Sequence, residues 1–253
     1  MENEKNKTLN FYRNQIYFAD FSLNSLGSEQ YGVRPCIVVQ NYIGNHYSPN
    51  LIVVPLTTSH ETDSDLGTHL MLKQSNYNLL NEDSTVLTEQ IRTISKERIV
   101  DIDVKGNSVL SLEDVKQLNM ALNLSLGKHP IEFKREPTIK RGEIYLADLG
   151  KGKQFEVAGL QYVLILQNDV GNFFSPTTII APISFHKRKS LLPTQTYINP
   201  KIPGVNISRS GIVHLEQITT IDKKRIISKI GKLPADIISR VEKSIMTSIS
   251  LDI

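Results

Sequence analysis

The chain has 253 residues, 40% hydrophobic and 22% charged, a globular balance that excludes wholesale disorder and leaves room for two small domains. Its net charge of +3 hides an asymmetry: residues 1–128 carry 11 Lys+Arg against 15 Asp+Glu, a net of −4, and residues 129–253 carry 18 against 11, a net of +7. Cys36 is the only cysteine, which excludes an intrachain disulfide and a thiolate metal cluster; no apolar run reaches membrane-spanning length, and the polar start "MENEKNKTLN" lacks a signal-peptide core, so a cytoplasmic location is expected.

The first element is "QIYFADF" at 15–21, whose alternation and β formers predict a strand. A polar, Gly-containing loop follows, "SLNSLGSEQYG". "PCIVVQN" reads as a buried strand and "YIGN" as turn chemistry. "LIVVPLT" is again a strand, and its proline suggests an edge or a bulge. His60 and His69 fall in a polar stretch and are expected in solvent. "STVLTEQIRTI" supplies further strands. In "LEDVKQLNMALNLSL", Val115, Leu118, Leu122 and Leu126 share one helical face.

"KHPIEFKREPTIK", 128–140, has two prolines, many charges and no clean period, and reads as a linker. After it the whole pattern returns. "EIYLADL" at 143–149 repeats 15–21, "LILQNDVGNFFSP" at 164–176 repeats 37–49, "TIIAPISF" follows the wording of "LIVVPLTT", and "LEQITTIDKKRI" that of "LTEQIRTISKERI". From Arg34 to Arg98 the offset is 127 residues. The chain is a tandem duplication. The last helix puts Ile237, Val241, Ile245 and Ile249 on one face, with Pro234 at its start. Many short strands followed by one helix, twice over, predict two small, strongly bent antiparallel barrels, each with a helix packed on it.

The usual catalytic signatures are absent: no phosphate-cradling glycine loop, no paired His at metal spacing, no serine elbow. His186 opens a basic run, "HKRK", a loop that could touch phosphate but more often only touches water. Arg34 remains, where a loop enters a strand. By its residues alone it is either a phosphate-facing cation or half of an ion pair with Glu29 or Glu89. Its counterpart in the second copy is Gln161.

"EQYGVRPCIVVQNYIGNHYSP", "LIVVPLT" and "LTEQIRTI", in this order and spacing, resemble the MazF/PemK (Kid) family of toxin endoribonucleases over nearly all of each half. The resemblance implies an α+β, mostly β fold: two tandem SH3-like small barrels, each with a C-terminal helix. Residues 1–128 would be one domain, 129–137 a linker and 138–253 a second, degenerate domain. It implies metal-independent, sequence-specific cleavage of single-stranded RNA without a cofactor, through attack by a 2′-hydroxyl that leaves a 2′,3′-cyclic phosphate and a 5′-hydroxyl. It places the catalytic arginine on Arg34 and the catalytic threonine on Thr57. Arginine offers a permanent charge to the phosphate and threonine a hydroxyl; loss of either is expected to cost about 2–4 kcal/mol of transition-state stabilisation. Ser28, Glu29, Gln30 and Arg92 fall on positions beside the RNA. Gln161, Ser184 and Thr219 replace Arg34, Thr57 and Arg92 in the second half, which is expected not to cleave. The implied partners are mRNA, a small acidic antitoxin, and each half for the other as a single-chain pseudo-dimer, with no membrane. A competing reading is an inactive RNA-binding or antitoxin-binding regulator of the same fold. A third, by the related fold of gyrase-poisoning toxins, is disfavoured by the Arg34/Thr57 pair.

Overall fold

A computed structural model describes residues 10–58, 67–101, 108–127, 135–185 and 190–251. His60 and His186 lie outside them, as does most of the expected linker. The first half runs β1 (Ile16–Asp20), β2 (Val33–Val38), α1 (Tyr42–Tyr47), β3 (Asn50–Thr57), β4 (His69–Leu72), β5 (Ser84–Leu87), β6 (Arg92–Ser95), β7 (Ile99–Asp101) and α2 (Leu112–Ser125). The second repeats it: β8 (Glu143–Asp148), β9 (Leu160–Ile165), α3 (Asp169–Phe174), β10 (Thr177–Ser184), β11 (Gln195–Ile198), β12 (Gly211–His214), β13 (Thr219–Asp222), β14 (Ile226–Lys232) and α4 (Ala235–Ile249).

Each half closes on itself. β1 pairs β2, β2 pairs β3, β3 pairs β6, and a 3-10 turn at Lys96–Arg98 carries the chain into β7, which returns to β1. The ring is a five-stranded SH3-like barrel, all antiparallel, with β4 and β5 extending from the far end of β3. The second half has the same order through β8, β9, β10, β13 and β14.

The prolines sit differently from expectation. β3 is a central strand, not an edge. Its pairing with β6 stops at Val53 and its pairing with β5 starts at Leu56, so Pro55 falls in the gap between two ladders. A missing N–H costs least there. Pro182 sits in the same gap of β10, between the ladders to β13 and β12.

"YIGN" and "DVGN" also differ: they form short helices, α1 and α3, rather than turns. Asn41 and Asn168 cap them, accepting from Gly44 N at 2.6 Å and Gly171 N at 2.7 Å. These asparagines have a second task. Asn41 Nδ2 donates to Thr247 O at the end of α4, and Asn168 Nδ2 to Leu124 O at the end of α2, each at 2.7 Å. Each half thus satisfies orphan carbonyls of the other half's helix.

The halves meet at β6 and β13. Thr93 Oγ1 donates to Ile218 O and Thr220 Oγ1 to Ile91 O, both at 2.8 Å, one repeat apart. The main apolar cluster is shared, holding Ile91, Leu118 and Leu122 with Ile218, Val241 and Ile245, while Tyr17, Phe21 and Cys36 belong to a separate cluster in the first barrel. The helical faces expected from the sequence point into the shared cluster. No described helix is long and apolar enough to cross a membrane.

Candidate active site

The loop from β1 to β2 is tied at its base by Phe21 N donating to Gly32 O at 2.9 Å. Gly32 has φ +82°, a left-handed turn that glycine enters without strain. The chain then runs into β2, where Arg34 pairs with Ala19 of β1. On the other side β2 pairs β3 as Ile37–Val54 and Cys36–Pro55. Two positions further, the same register puts Arg34 opposite Thr57, and residues opposite one another share a sheet face. The fold therefore brings together the two positions singled out as catalytic.

Arg34 is half-buried, and its guanidinium is aimed by neighbours. Nε donates to Tyr31 O at 2.9 Å and Nη1 to Gln30 Oε1 at 2.6 Å. Neither Glu29 nor Glu89 takes it: Glu29 binds Arg225, and Glu89 binds His69 at 3.2 Å. Among the described residues Arg34 has no carboxylate partner. Partial burial lowers its pKa from the ordinary value, yet a guanidinium stays charged at any working pH. The result is an oriented cation at the mouth of the barrel, uncompensated among the described residues. His69, expected in solvent, is instead on β4 with its side chain 7% exposed.

Gln30 links Arg34 to Arg92, whose Nη1 donates to Gln30 O at 3.3 Å. Ser28 is exposed at the loop tip, and its backbone N–H reaches Asp222 Oδ2 of the second half at 3.2 Å. A Cβ on Gly27 would lie 2.1 Å from that same oxygen, so the loop rests tightly on the other half.

Glu29 and Arg92 were expected beside RNA, but the structure places them inside the junction. Glu29 takes Arg225 Nε and the Asp222 backbone N–H on Oε1, at 2.6 and 2.8 Å, and Arg225 Nη2 and Leu26 N on Oε2, both at 3.1 Å. Its side chain is 3% exposed. Arg92 lies over the Phe21 ring at 5.5 Å and lines a junction cavity of ≈ 50 Å³ with Glu29, Arg98, Glu156, Thr219 and Arg225. Burial pushes its pKa down, against the pull of Glu29. These two residues brace the loop from behind.

The second half holds a different set. Gln161 Nε2 donates to Ala158 O at 2.9 Å, and no charge stands where Arg34 does. Ser184, on β10, is bonded to His214 of β12. Sequence reasoning missed His214. Its signal was available: the offset of 127 residues pairs it with Leu87, and His-x-Glu at 214–216 occurs only in the second copy.

Each half is similar to known proteins. The PemK-like, MazF-like toxin of type II toxin-antitoxin system family matches twice, over residues 12–126 and 140–249. Endoribonuclease EndoA of Bacillus subtilis strain 168 is 41% identical over 113 residues, 45% of this chain and 96% of that protein. Endoribonuclease MazF of Staphylococcus saprophyticus is 40% identical over 119 residues, 47% of this chain and 93% of that protein. Among solved structures, an endoribonuclease from mycobacterial species is 19% identical, with a TM-score of 0.38, over 47% of this chain and 97% of its own. With residues 12–126 and 140–249 each matched, the chain belongs to the PemK-like, MazF-like toxin family and carries its domain twice.

Proposed function

We propose that the chain is an endoribonuclease that cuts single-stranded RNA at one site, built by Arg34 and Thr57 in the first half. The carrying observation is the oriented Arg34 guanidinium, with no carboxylate partner among the described residues, at the position that the β2–β3 register, continued two residues beyond Cys36–Pro55, sets opposite Thr57. As the 2′-hydroxyl attacks the adjacent phosphorus, negative charge grows on the phosphoryl oxygens. Arg34 meets that charge, and the Thr57 hydroxyl holds a second oxygen in line. Arg34 supplies the positive charge, so the step runs without a metal and leaves a 2′,3′-cyclic phosphate and a 5′-hydroxyl.

Residues 1–128 form the cleaving domain in this reading, and 138–253 its built-in partner, a single-chain pseudo-dimer. The second half contributes by gripping the loop: Arg225 and Asp222 fix Glu29 and Ser28, and Gln30 then aims Arg34. Of the loop residues expected beside RNA, Ser28 and Gln30 keep side chains outside the junction. The natural blocker is a small antitoxin with an acidic segment, which competes with RNA phosphates for Arg34 and for the second half, net +7 over residues 129–253. The family's description as a toxin of a toxin-antitoxin system supports this.

The test is incubation of a long single-stranded RNA with the full chain in EDTA, followed by mapping of the ends. The reading predicts discrete cuts with cyclic phosphate and 5′-hydroxyl ends. RNA binding without turnover would overturn it in favour of a binding protein of the same fold.

A further inference from the structure

The second half has not merely lost chemistry. Three positions around its site differ from the first: Gln161 for Arg34, Ser184 for Thr57 and His214 for Leu87. The strands explain how they meet. Ser184 pairs with Ile212 on β12, so His214, two residues on, is its diagonal neighbour on the same face. Ser184 Oγ and His214 Nε2 are 2.7 Å apart. His214 Nδ1 lies 3.0 Å from Glu216 Oε1. Gln195, directly opposite His214 on β11, donates its amide to that same Glu216 oxygen at 2.6 Å. The carboxylate is thereby fixed. The Gln195 amide also lies 3.3 Å from Nδ1; in the tautomer that carries its proton on Nδ1, facing the carboxylate, Nε2 accepts from the serine hydroxyl. The side chains of His214 and Glu216 are 11% and 26% exposed, held in place yet reachable.

A hydroxyl, a base within hydrogen-bond reach and a third group orienting the base form the arrangement that activates a nucleophile. In the first half the corresponding Glu89 binds His69 from β4 instead, and the apolar Leu87 stands beside the threonine position. Gln161 adds an amide beside the set. The ladder ends at Ile183–Tyr162, and its register continued by one position sets Gln161 opposite Ser184; Nε2 gives one hydrogen to Ala158 O at 2.9 Å, which leaves its second hydrogen for a ligand. A neutral amide there suits the single charge of a carbonyl oxyanion, as a guanidinium suits a phosphate.

We infer that Ser184, His214, Glu216 and Gln161 form a second, separate site that cleaves carboxylic esters by acyl transfer. Ser184 Oγ bonds to the carbonyl carbon while its proton passes to His214 Nε2, and the carbonyl oxygen becomes an oxyanion facing Gln161. Collapse breaks the ester bond, and the leaving alkoxide takes the proton from His214. Water then attacks the acyl-serine, giving its proton to His214; the carboxylic acid departs and Ser184 regains its hydrogen. Glu216 is a positioning residue that holds the imidazole in the right tautomer.

The site is tested on the full chain with p-nitrophenyl acetate and a fluorophosphonate, neither of which involves RNA. The fluorophosphonate should attach to Ser184, located by mass spectrometry, and the acetate should give a nitrophenolate burst. Ser184→Ala should abolish both. His214→Gln should slow labelling by about 10²-fold or more, and Glu216→Gln should slow it with the melting temperature held close to that of the parent chain. Gln161→Ala should slow ester turnover by about 10²-fold. Labelling of Ser184 no faster than in the urea-unfolded chain, or unchanged by both His214→Gln and Glu216→Gln, would overturn the inference.

Discussion

Glu29 and Arg225, 196 residues apart in sequence, meet at 2.6 Å across the junction of the two halves. One repeat on, Glu156 and Arg98 meet at the same distance with the donor and acceptor halves exchanged, and Arg98 grips both carboxylate oxygens. The two pairs are one contact made twice, one repeat apart. Arg225 Nη2 also reaches the carbonyl of Asn24, so the Arg34 loop is anchored by the other half.

Breaking one of these pairs leaves a buried charge without a partner. Glu29 and Arg225 side chains are only 3% and 8% exposed. Arg225→Met alone should therefore cost about 3–5 kcal/mol of stability, while Glu29→Leu combined with Arg225→Met should cost clearly less than the sum of the two single changes. Urea denaturation of the three variants checks this. A single-variant cost under 1 kcal/mol would show the junction to be solvated.

Acid should loosen the second half and the junction first. For Glu156, burial opposes the charge, but the Arg98 guanidinium and the Lys153 and Ser95 backbone N–H groups outweigh it, and the pKa falls below 4.5. For Glu143, burial is likewise outweighed by Lys229 and the Tyr145 hydroxyl. A folded-state pKa below the unfolded one stabilises fully above the unfolded value, near 4.5, and that stability drains as pH falls through the folded values. Stability measured from pH 7 downward should stay level with respect to these groups until about pH 5 and then drop. Glu156→Gln should flatten part of the drop.

Cys36 reports on the first barrel. It is fully buried in β2, two residues from Arg34, and burial raises its thiol pKa well above the ordinary value. Thiolate is the reactive form. Dithiobisnitrobenzoate should titrate one thiol in denaturant and react orders of magnitude more slowly with the native chain. Equal rates would mean that the barrel around Arg34 opens freely.

The repeat carried most of the fold into view. Alternation at 15–21 and the apolar runs that begin at Pro35 and Leu51 mark β1, β2 and β3, because half-buried and fully buried positions leave that record in sequence. Arg34 and Thr57 are proposed through the family's wording. What stayed hidden depends on distant partners. Glu29 reads as a loop acid until Arg225 arrives from the other half. Asn41 reads as a turn residue, since six-residue helices leave no period to detect. β4 and β11 are four residues each, too short for alternation to show. His214 was passed over because its meaning lies in Ser184, 30 residues earlier.

The most direct test of the account is the rate at which the full chain and its Arg34→Ala variant cut one defined single-stranded RNA in EDTA. The account predicts cleavage by the parent chain and a fall of about 10²–10³-fold in the variant, with the melting temperature little changed because, among the described residues, Arg34 bonds only to its own loop. Equal rates, or no cleavage by the parent chain, would contradict it.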